Sequence, residues 1–125
     1  MISFIDANVI IKAFTENTEK EQCRNVLRLP FVTNALSLIE AQHGIATIKK
    51  NKMYAAYCIK ALFKTEGIIV PLDKNLLFES FKRQEKYQLS TFDLINYVTA
   101  LKYNCSTFVS YDKDFDGLEI KRIEP

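Results

Sequence analysis

Short apolar runs alternate with longer amphipathic stretches along the 125-residue chain. The runs are brief and rich in β-branched and aromatic side chains, which predicts buried strands. The predicted strands are residues 2–5, 31–33, 68–70 and 107–109, with a further candidate at 119–123. The stretches between them predict helices at residues 8–16, 19–29, 34–50, 53–64, 73–86 and 90–104. This alternation predicts an α/β protein whose parallel sheet is covered by helices on both faces.

The composition limits the class of protein. Because 48% of the residues are hydrophobic and 26% charged, we expect one globular domain over residues 1–125. The net charge of +2 gives no molecule-wide field for nucleic acid, so any such contact must come from local patches. No apolar run approaches the ~18 residues of a membrane span, and the first residues lack a signal-peptide pattern. We therefore expect a soluble, cytoplasmic protein without membrane contact.

The cysteine pattern agrees with a reducing compartment. Cys23, Cys58 and Cys105 are odd in number, widely spaced and without a CxxC pair. This pattern predicts neither a disulfide framework nor a zinc site. Three free thiols are the simplest interpretation.

Four acidic residues stand out by their position in the predicted pattern. Asp6 directly follows the first strand, and Asp112 follows strand 107–109 after two residues. Both therefore lie at the carboxyl ends of strands, where parallel α/β sheets form their sites. Glu40 and Asp93 lie in early helical turns between apolar neighbours, where an acid is not simply a solvated surface residue.

Clustered carboxylates repel one another. Two of them ~4 Å apart cost roughly 4 kcal/mol at an effective dielectric of 20, which a divalent cation can offset. Oxygen ligands select a hard ion, Mg²⁺ or Mn²⁺, and such an ion supports phosphoryl chemistry. The single histidine, His43, has no evident nucleophile beside it, and the sequence has no phosphate-binding glycine loop.

Each acid also has a purely structural interpretation. Ser90 and Asp93 fit a capping box, and Asp6 suits a helix cap. Glu40 fits a partly buried acid paired with a lysine. The remaining acids precede Gly117 in a run that favours turns: Asp112, Asp114 and Asp116.

Four motifs follow one another at suitable spacing and together span nearly the whole chain. They are FIDANVI at residues 4–10, SLIEAQHG at 37–44, LSTFDLINYVTA at 89–100 and FVSYDKDF at 108–115. In this order they resemble the PIN-domain nucleases, and among these the VapC-like toxins of bacterial and archaeal toxin–antitoxin pairs. The resemblance implies a single PIN-like domain, a three-layer α/β/α sandwich around a short, mostly parallel sheet.

The resemblance also implies roles for individual residues. Asp6, Glu40, Asp93 and Asp112 would be catalytic and would hold one or two Mg²⁺ or Mn²⁺ ions. Asn8 and Ser110 would support them, with Ser110 standing where the family more often has threonine. Asp112 matches the last motif best, and two acids remain open as further metal ligands: Asp114 and Asp116.

The resemblance implies an activity and partners as well. The protein would be an endoribonuclease that hydrolyses RNA phosphodiester bonds, and an antitoxin protein would restrain it. Homodimers are common among such toxins, which makes a homodimer a further expectation.

A basic segment offers a candidate contact for RNA. Residues 41–65 contain five lysines, two tyrosines and no acid. A basic stretch with interleaved rings can follow a phosphate backbone, and a solvated helical face is the alternative interpretation for most of these lysines. The preferred RNA-binding residues follow the Glu40 helix: Lys49, Lys50 and Lys52.

Three other functions remain open from the sequence. Residues 112–117 match the start of a calcium-binding EF-hand loop, but Ile123 stands where that loop needs its last acid. A phosphoryl-transfer domain would use Asp6, but residues 6–8 lack the second Asp of a DxD motif. A receiver domain would need a further Asp, for which Asp73 is the candidate, and paired acids after the first strand, which the sequence lacks. The third alternative is a PIN-like domain that acts in RNA processing or only binds partners.

Overall fold

A computed structural model describes residues 2–125 and has a five-stranded parallel sheet at its centre. The strands lie in the order β3-β2-β1-β4-β5, and every neighbouring pair is parallel. The prediction of a mostly parallel sheet is therefore confirmed. The strands are β1 (Ser3–Ile5), β2 (Phe31–Asn34), β3 (Ile68–Val70), β4 (Thr107–Val109) and β5 (Lys121–Ile123).

Within residues 2–125, six α-helices cover the two faces of the sheet. Helices α1 to α4 pack with one core on the first face, and α5 and α6 pack with a second core on the other. The three-layer α/β/α sandwich is thus confirmed. The helices are α1 (Ala7–Ala13), α2 (Lys20–Leu27), α3 (Ala35–Lys49), α4 (Lys52–Leu62), α5 (Lys74–Phe81) and α6 (Thr91–Lys102).

Successive side chains along the central strands point to opposite faces of the sheet and so contribute to both hydrophobic cores. In β1, Phe4 belongs to the core under α6, and Ile5 belongs to the core under α1. The Phe4 ring stacks on Phe108 at 4.8 Å, and Phe108 lies 4.2 Å from the ring of Phe115. Both faces of the central strands β1, β2 and β4 are largely buried, as expected for a parallel sheet.

Two helices are shorter than the sequence predicts. Residues 82–86 form turns rather than a continuation of α5, and the Gln84 amide donates to the carbonyls of Tyr87 and Leu89. Helix α1 ends at Ala13 because Asn17 donates to the carbonyls of Lys12 and Thr15 and closes the turn. In α1 the Asn17 amide takes the Lys12 carbonyl, to which the N–H of residue 16 would donate in a longer helix.

A buried polar network fixes the start of α3 against α6. The side-chain Oδ1 of Asn34 accepts from the backbone N–H of Ser37 and so caps α3. The Asn34 amide donates to Asn96 and Thr99 of α6, each at 2.9 Å, and the Ser37 hydroxyl donates to Asn96. All four side chains are buried, so this network sets the position of one helix relative to the other.

Within residues 2–125, no helix has the length and hydrophobicity needed to cross a membrane.

Two glycines permit close packing but differ in what they face. A Cβ at Gly67 would lie 2.2 Å from the buried ring of Phe31, which has no room to move. A Cβ at Gly44, inside α3, would meet only the flexible end of Ile11.

We predict that Gly67→Ala lowers the free energy of unfolding by about 1–3 kcal/mol. Gly44→Ala should stay within ~1 kcal/mol, because alanine favours the helix. Urea denaturation of both variants tests this, and an equal loss in the two would contradict it.

Candidate active site

Asp6 lies at the carboxyl end of the central strand β1 and begins helix α1. Its backbone N–H donates to Val109 at the end of β4, at 3.0 Å. Its carboxylate accepts from the backbone N–H of Ala7 at 2.8 Å and from the Ser110 hydroxyl at 2.7 Å. The side chain is only 6% exposed. Asp6 is therefore a helix cap and a fixed carboxylate at once.

Ser110 and Asn8 tie the ends of the two central strands together. The Ser110 hydroxyl donates to Asp6 and accepts from the backbone N–H of Asp112 at 3.0 Å. The Asn8 amide donates to Ser110 at 3.2 Å, and its oxygen accepts from the backbone N–H of Tyr111. Both residues thus donate hydrogen bonds to the Asp6 carboxylate.

Three carboxylates form a compact group at this edge of the sheet. One oxygen from each of Asp93, Asp112 and Asp114 lies within 4.8 Å of the others. Asp93 lies in the first turn of α6, where its N–H donates to the Ser90 cap at 3.3 Å. Asp112 caps a short 3₁₀ helix, Lys113–Phe115, by accepting from the N–H of Asp114 at 2.9 Å.

Glu40 faces the site from the second turn of α3. Among the described residues 2–125, its Oε1 atom is buried and has no hydrogen-bond partner. Burial raises the pKa of Glu40, and the charges of Asp6 and Asp93 raise it further. A buried carboxylate oxygen without a donor is costly, so the arrangement favours a proton or a cation at this atom.

The acids act on one another through a shared field. Burial raises the pKa of Asp6 to about 6, against the hydrogen bonds from Ser110 and Ala7, and the charges of Asp93 and Asp112 add to it. Burial also raises the pKa of Asp93, and the charges of Asp112 and Asp114 contribute. The ionised forms are disfavoured in a site without a positive charge.

Asp116 lies outside the three-carboxylate group, although the sequence left it open as a ligand. Its carboxylate accepts from the Arg122 side chain at 2.6 Å. Arg122 also donates to the Ser110 carbonyl and to Glu124. Among the three acids of the last motif, Asp114 therefore lies beside Asp112, whereas Asp116 contacts an arginine.

The three predicted RNA-binding lysines lie apart from the acids. Lys49 ends α3, Lys50 caps it, and Lys52 begins α4, and all three are exposed. The Lys49 ammonium lies 5.5 Å from the centre of the Tyr54 ring. They form one corner of the α3–α4 hairpin.

Comparison of the sequence with models of known protein families identifies the family to which the chain is related. The family model described as PIN domain matches residues 3–121. The chain belongs to the PIN domain family. The resemblance of its four motifs to this family is thereby confirmed. A comparison with curated proteins gave no match.

Solved structures show the same fold for this PIN domain. VapC20 of Mycobacterium tuberculosis, described as a sarcin–ricin loop cleaving toxin, has a TM-score of 0.79 at 12% identity, covering 98% of this chain and 99% of that one. A toxin–antitoxin complex from Klebsiella pneumoniae gives 0.77 at 17%, covering 98% and 97%. VapBC2 of Rickettsia felis, bound to a DNA fragment from its promoter, gives 0.71 at 15%, covering 100% and 99%. The VapC-like fold is confirmed.

The buried network between α3 and α6, which positions the helices that carry Glu40 and Asp93, was not predicted from the sequence. Asn34 was recognisable as a helix cap, but a cap uses only the side-chain oxygen. Its amide needs acceptors, and these come from residues more than sixty positions away. A polar pair at one-turn spacing inside an apolar helix, Asn96 and Thr99, is the only local signal.

Two alternative folds do not match the geometry of this PIN domain. Residues 112–117 contain the 3₁₀ helix and lie between strands β4 and β5 rather than between two α-helices, so they do not form an EF-hand. Asp73 caps α5 by accepting from the N–H of Leu76, next to the edge strand β3. Strand β2 separates it from β1, so it does not pair with Asp6 as a receiver site requires.

The raised pKa of Asp6 predicts an unusual dependence of stability on pH. Between the unfolded value near 3.8 and the folded value of about 6, the folded state holds the proton more tightly, so stability decreases as pH rises. Asp6 should contribute a loss of about 1 kcal/mol between pH 5 and pH 8. The raised pKa values of Glu40 and Asp93 act in the same direction.

Urea denaturation in EDTA at both pH values measures this loss. In Asp6→Asn, the decrease between pH 5 and pH 8 should be smaller by about 1 kcal/mol. The control Glu66→Gln changes an exposed acid outside the site and should keep the decrease of the unaltered protein. The same decrease in both variants would show that Asp6 does not titrate as described.

Proposed function

We propose that this PIN domain is a Mg²⁺- or Mn²⁺-dependent endoribonuclease that hydrolyses RNA phosphodiester bonds. The observation that carries the proposal is the group of three carboxylates, flanked by two more whose pKa values are raised. Five acids at one edge of a sheet are unfavourable unless they bind positive charge. The catalytic residues are Asp6, Glu40, Asp93 and Asp112, with Asp114 as a further ligand.

The residues present suit a hard divalent cation. Every donor is a carboxylate oxygen, which is the ligand type that Mg²⁺ and Mn²⁺ prefer. One carboxylate oxygen from each of the three residues lies within 4.8 Å of the others, close to the ~4 Å between opposite oxygens around an ion with ~2.1 Å bonds. The unpartnered Oε1 of Glu40 is a buried acceptor in need of a positive partner.

The residues of the chain divide the work at this site. Asp93, Asp112 and Asp114 would hold the cation, with Asp6 and Glu40 completing its surroundings. When bound, such an ion supplies a positive charge for the phosphate and lowers the pKa of water for attack. Ser110 and the α1 cap keep Asp6 in one orientation. Glu40 Oε1, free of protein partners and with a raised pKa, is suited to accept the proton of the attacking water.

The same reasoning extends to the biological setting. The chain is the toxin of a type II toxin–antitoxin pair, with RNA as substrate and an antitoxin protein as partner. Support comes from solved structures of the same fold, two of which are toxin–antitoxin assemblies. A homodimer stays a prediction, and a monomeric mass in solution would count against it.

Asp93 provides the direct test of metal-dependent cleavage. Asp93→Asn should reduce RNA cleavage at least ~100-fold, more than the 10–100-fold typical of groups that only support a ligand. It should also weaken Mn²⁺ binding, measured by calorimetry. Because Asp93 lies in the helical turn capped by Ser90, the free energy of unfolding of the variant should be measured as well. We expect a loss of no more than ~1 kcal/mol. Full cleavage by this variant would refute the metal-site proposal.

Asp114 and Asp116 form a matched pair within one motif. Asp114→Asn should lower Mn²⁺ affinity and cleavage, since Asp114 belongs to the three-carboxylate group. Asp116→Asn should leave both nearly unchanged, because that carboxylate contacts Arg122 instead. If the protein bound RNA but neither cleaved it nor responded to Mn²⁺, the non-catalytic binding module would be the better description.

A further inference from the structure

A stripe of exposed polar side chains runs along α3 from the acidic site to a basic corner. Glu40, His43, Thr47 and Lys50 are spaced by three, four and three residues, which places them on one face of the helix. His43, Thr47 and Lys50 are exposed. With Asn51 and Lys52 they line a shallow depression of about 360 Å³ at the turn into α4. We call this face the α3 stripe, and Lys49 lies at the same end of α3 but on another side of the helix.

The lysines of this corner are free to bind a ligand. Among residues 2–125, no carboxylate lies within ion-pair distance of Lys49, Lys50 or Lys52. The sequence offers none nearby, because residues 41–65 contain no acid. Glu16 forms its ion pair with Lys20 at 2.7 Å, and this contact is the main reason that its pKa is lowered, with the charge of Lys49 contributing less. Elsewhere, several basic side chains are paired with acids.

Lys50 shows that a cation stays at the turn despite a backbone cost. It adopts the left-handed conformation, with φ of 53°, where glycine or asparagine is the usual residue. The Lys50 side chain lines the same depression as that of Lys52, the first residue of α4. With Lys49, the last residue of α3, these are three exposed cations at one turn of the chain.

The length of the stripe matches a short piece of a nucleic acid strand. Ten helical residues separate Glu40 from Lys50, which is about 15 Å at 1.5 Å per residue. At ~3.4 Å per phosphate of a stacked strand, this span corresponds to about four nucleotides. A strand with its scissile phosphate at the acids can therefore reach the lysines only if it continues for several nucleotides.

We propose that the α3 stripe is the track that holds the RNA backbone on one side of the cleavage site. Lys49, Lys50 and Lys52 neutralise phosphates at its far end, and His43 and Thr47 contact the strand between them and Glu40. This inference rests on the proposed ribonuclease function for the position of the scissile phosphate. The acids repel RNA, so the basic corner supplies attraction that the site itself lacks.

Binding without cleavage tests the track independently of the activity. The probe is a labelled 20-nucleotide uridine RNA in EDTA, and the readout is fluorescence anisotropy at several salt concentrations. The variant K49Q/K50N/K52Q removes the corner, with asparagine at position 50 because it tolerates the left-handed backbone. The control K74Q/K102Q/K121Q removes three exposed lysines that lie elsewhere and have no ion pair in the described chain.

The corner variant should bind the RNA at least ~10-fold more weakly. Its plot of log affinity against log salt concentration should have a slope shallower by about 2, because each of the three lost phosphate contacts contributes ~0.7. The control should change affinity by less than ~3-fold. Equal losses in the two variants would overturn the proposal, because the lysines would then act only through net charge. Tighter binding of an acidic Glu-rich peptide than of the RNA would also overturn it, in favour of a protein partner.

Cleavage adds a second readout that separates this proposal from the proposed function. With Mn²⁺, the corner variant should raise KM for the 20-nucleotide RNA and leave kcat unchanged. A dinucleotide substrate cannot span ~15 Å and should show no difference between variant and unaltered protein. An equal rise in KM for both substrates would contradict the track. If no RNA were cleaved at all, the ribonuclease proposal would fail, while the anisotropy result would still decide whether the stripe binds RNA.

Discussion

Mutual repulsion among carboxylates is the constraint on which the architecture of the site depends. Parallel pairing of β1 with β4 brings Asp6 and Asp112 to the same edge of the sheet, and α6 adds Asp93. A less rigid scaffold would let these side chains move apart. Here the strand ends are joined through Ser110, and the stacked rings of Phe4 and Phe108 lie directly beneath. The hydrophobic core thus maintains a concentration of negative charge that the acids alone would not keep.

The network of Asn34 has a related role on the other side of the site. It fixes where α3 begins relative to α6, and therefore where Glu40 lies relative to Asp93. Within residues 2–125, the side chains of Asn34 and Thr99 form no hydrogen bond with the carboxylates of the site. They act as positioning residues, so changes in this network would shift the acidic site without removing any of its charges.

The sequence predicts the fold well because periodicity and chain punctuation are local signals. The strands at 3–5 and 107–109 follow from brief apolar runs, and the caps at Asn34 and Ser90 follow from residue type. The end of α5 did not follow, because it depends on an amide of Gln84 that reaches two carbonyls beyond the turn. The sequence also placed four acids together but could not separate Asp114 from Asp116. That distinction depends on Arg122, which belongs to the neighbouring strand.

The double role of Asp6 has a consequence for how such a protein changes under mutation. The same carboxylate caps α1 and adds to the repulsion at the site, so neutral substitutions that keep the cap relieve an electrostatic cost. Selection for stability alone would then favour loss of the acids, since functional sites and stability compete. A population of variants screened only for folding would drift toward well-folded, inactive proteins. The charge at this edge of the sheet is therefore maintained by what the protein does rather than by what keeps it folded.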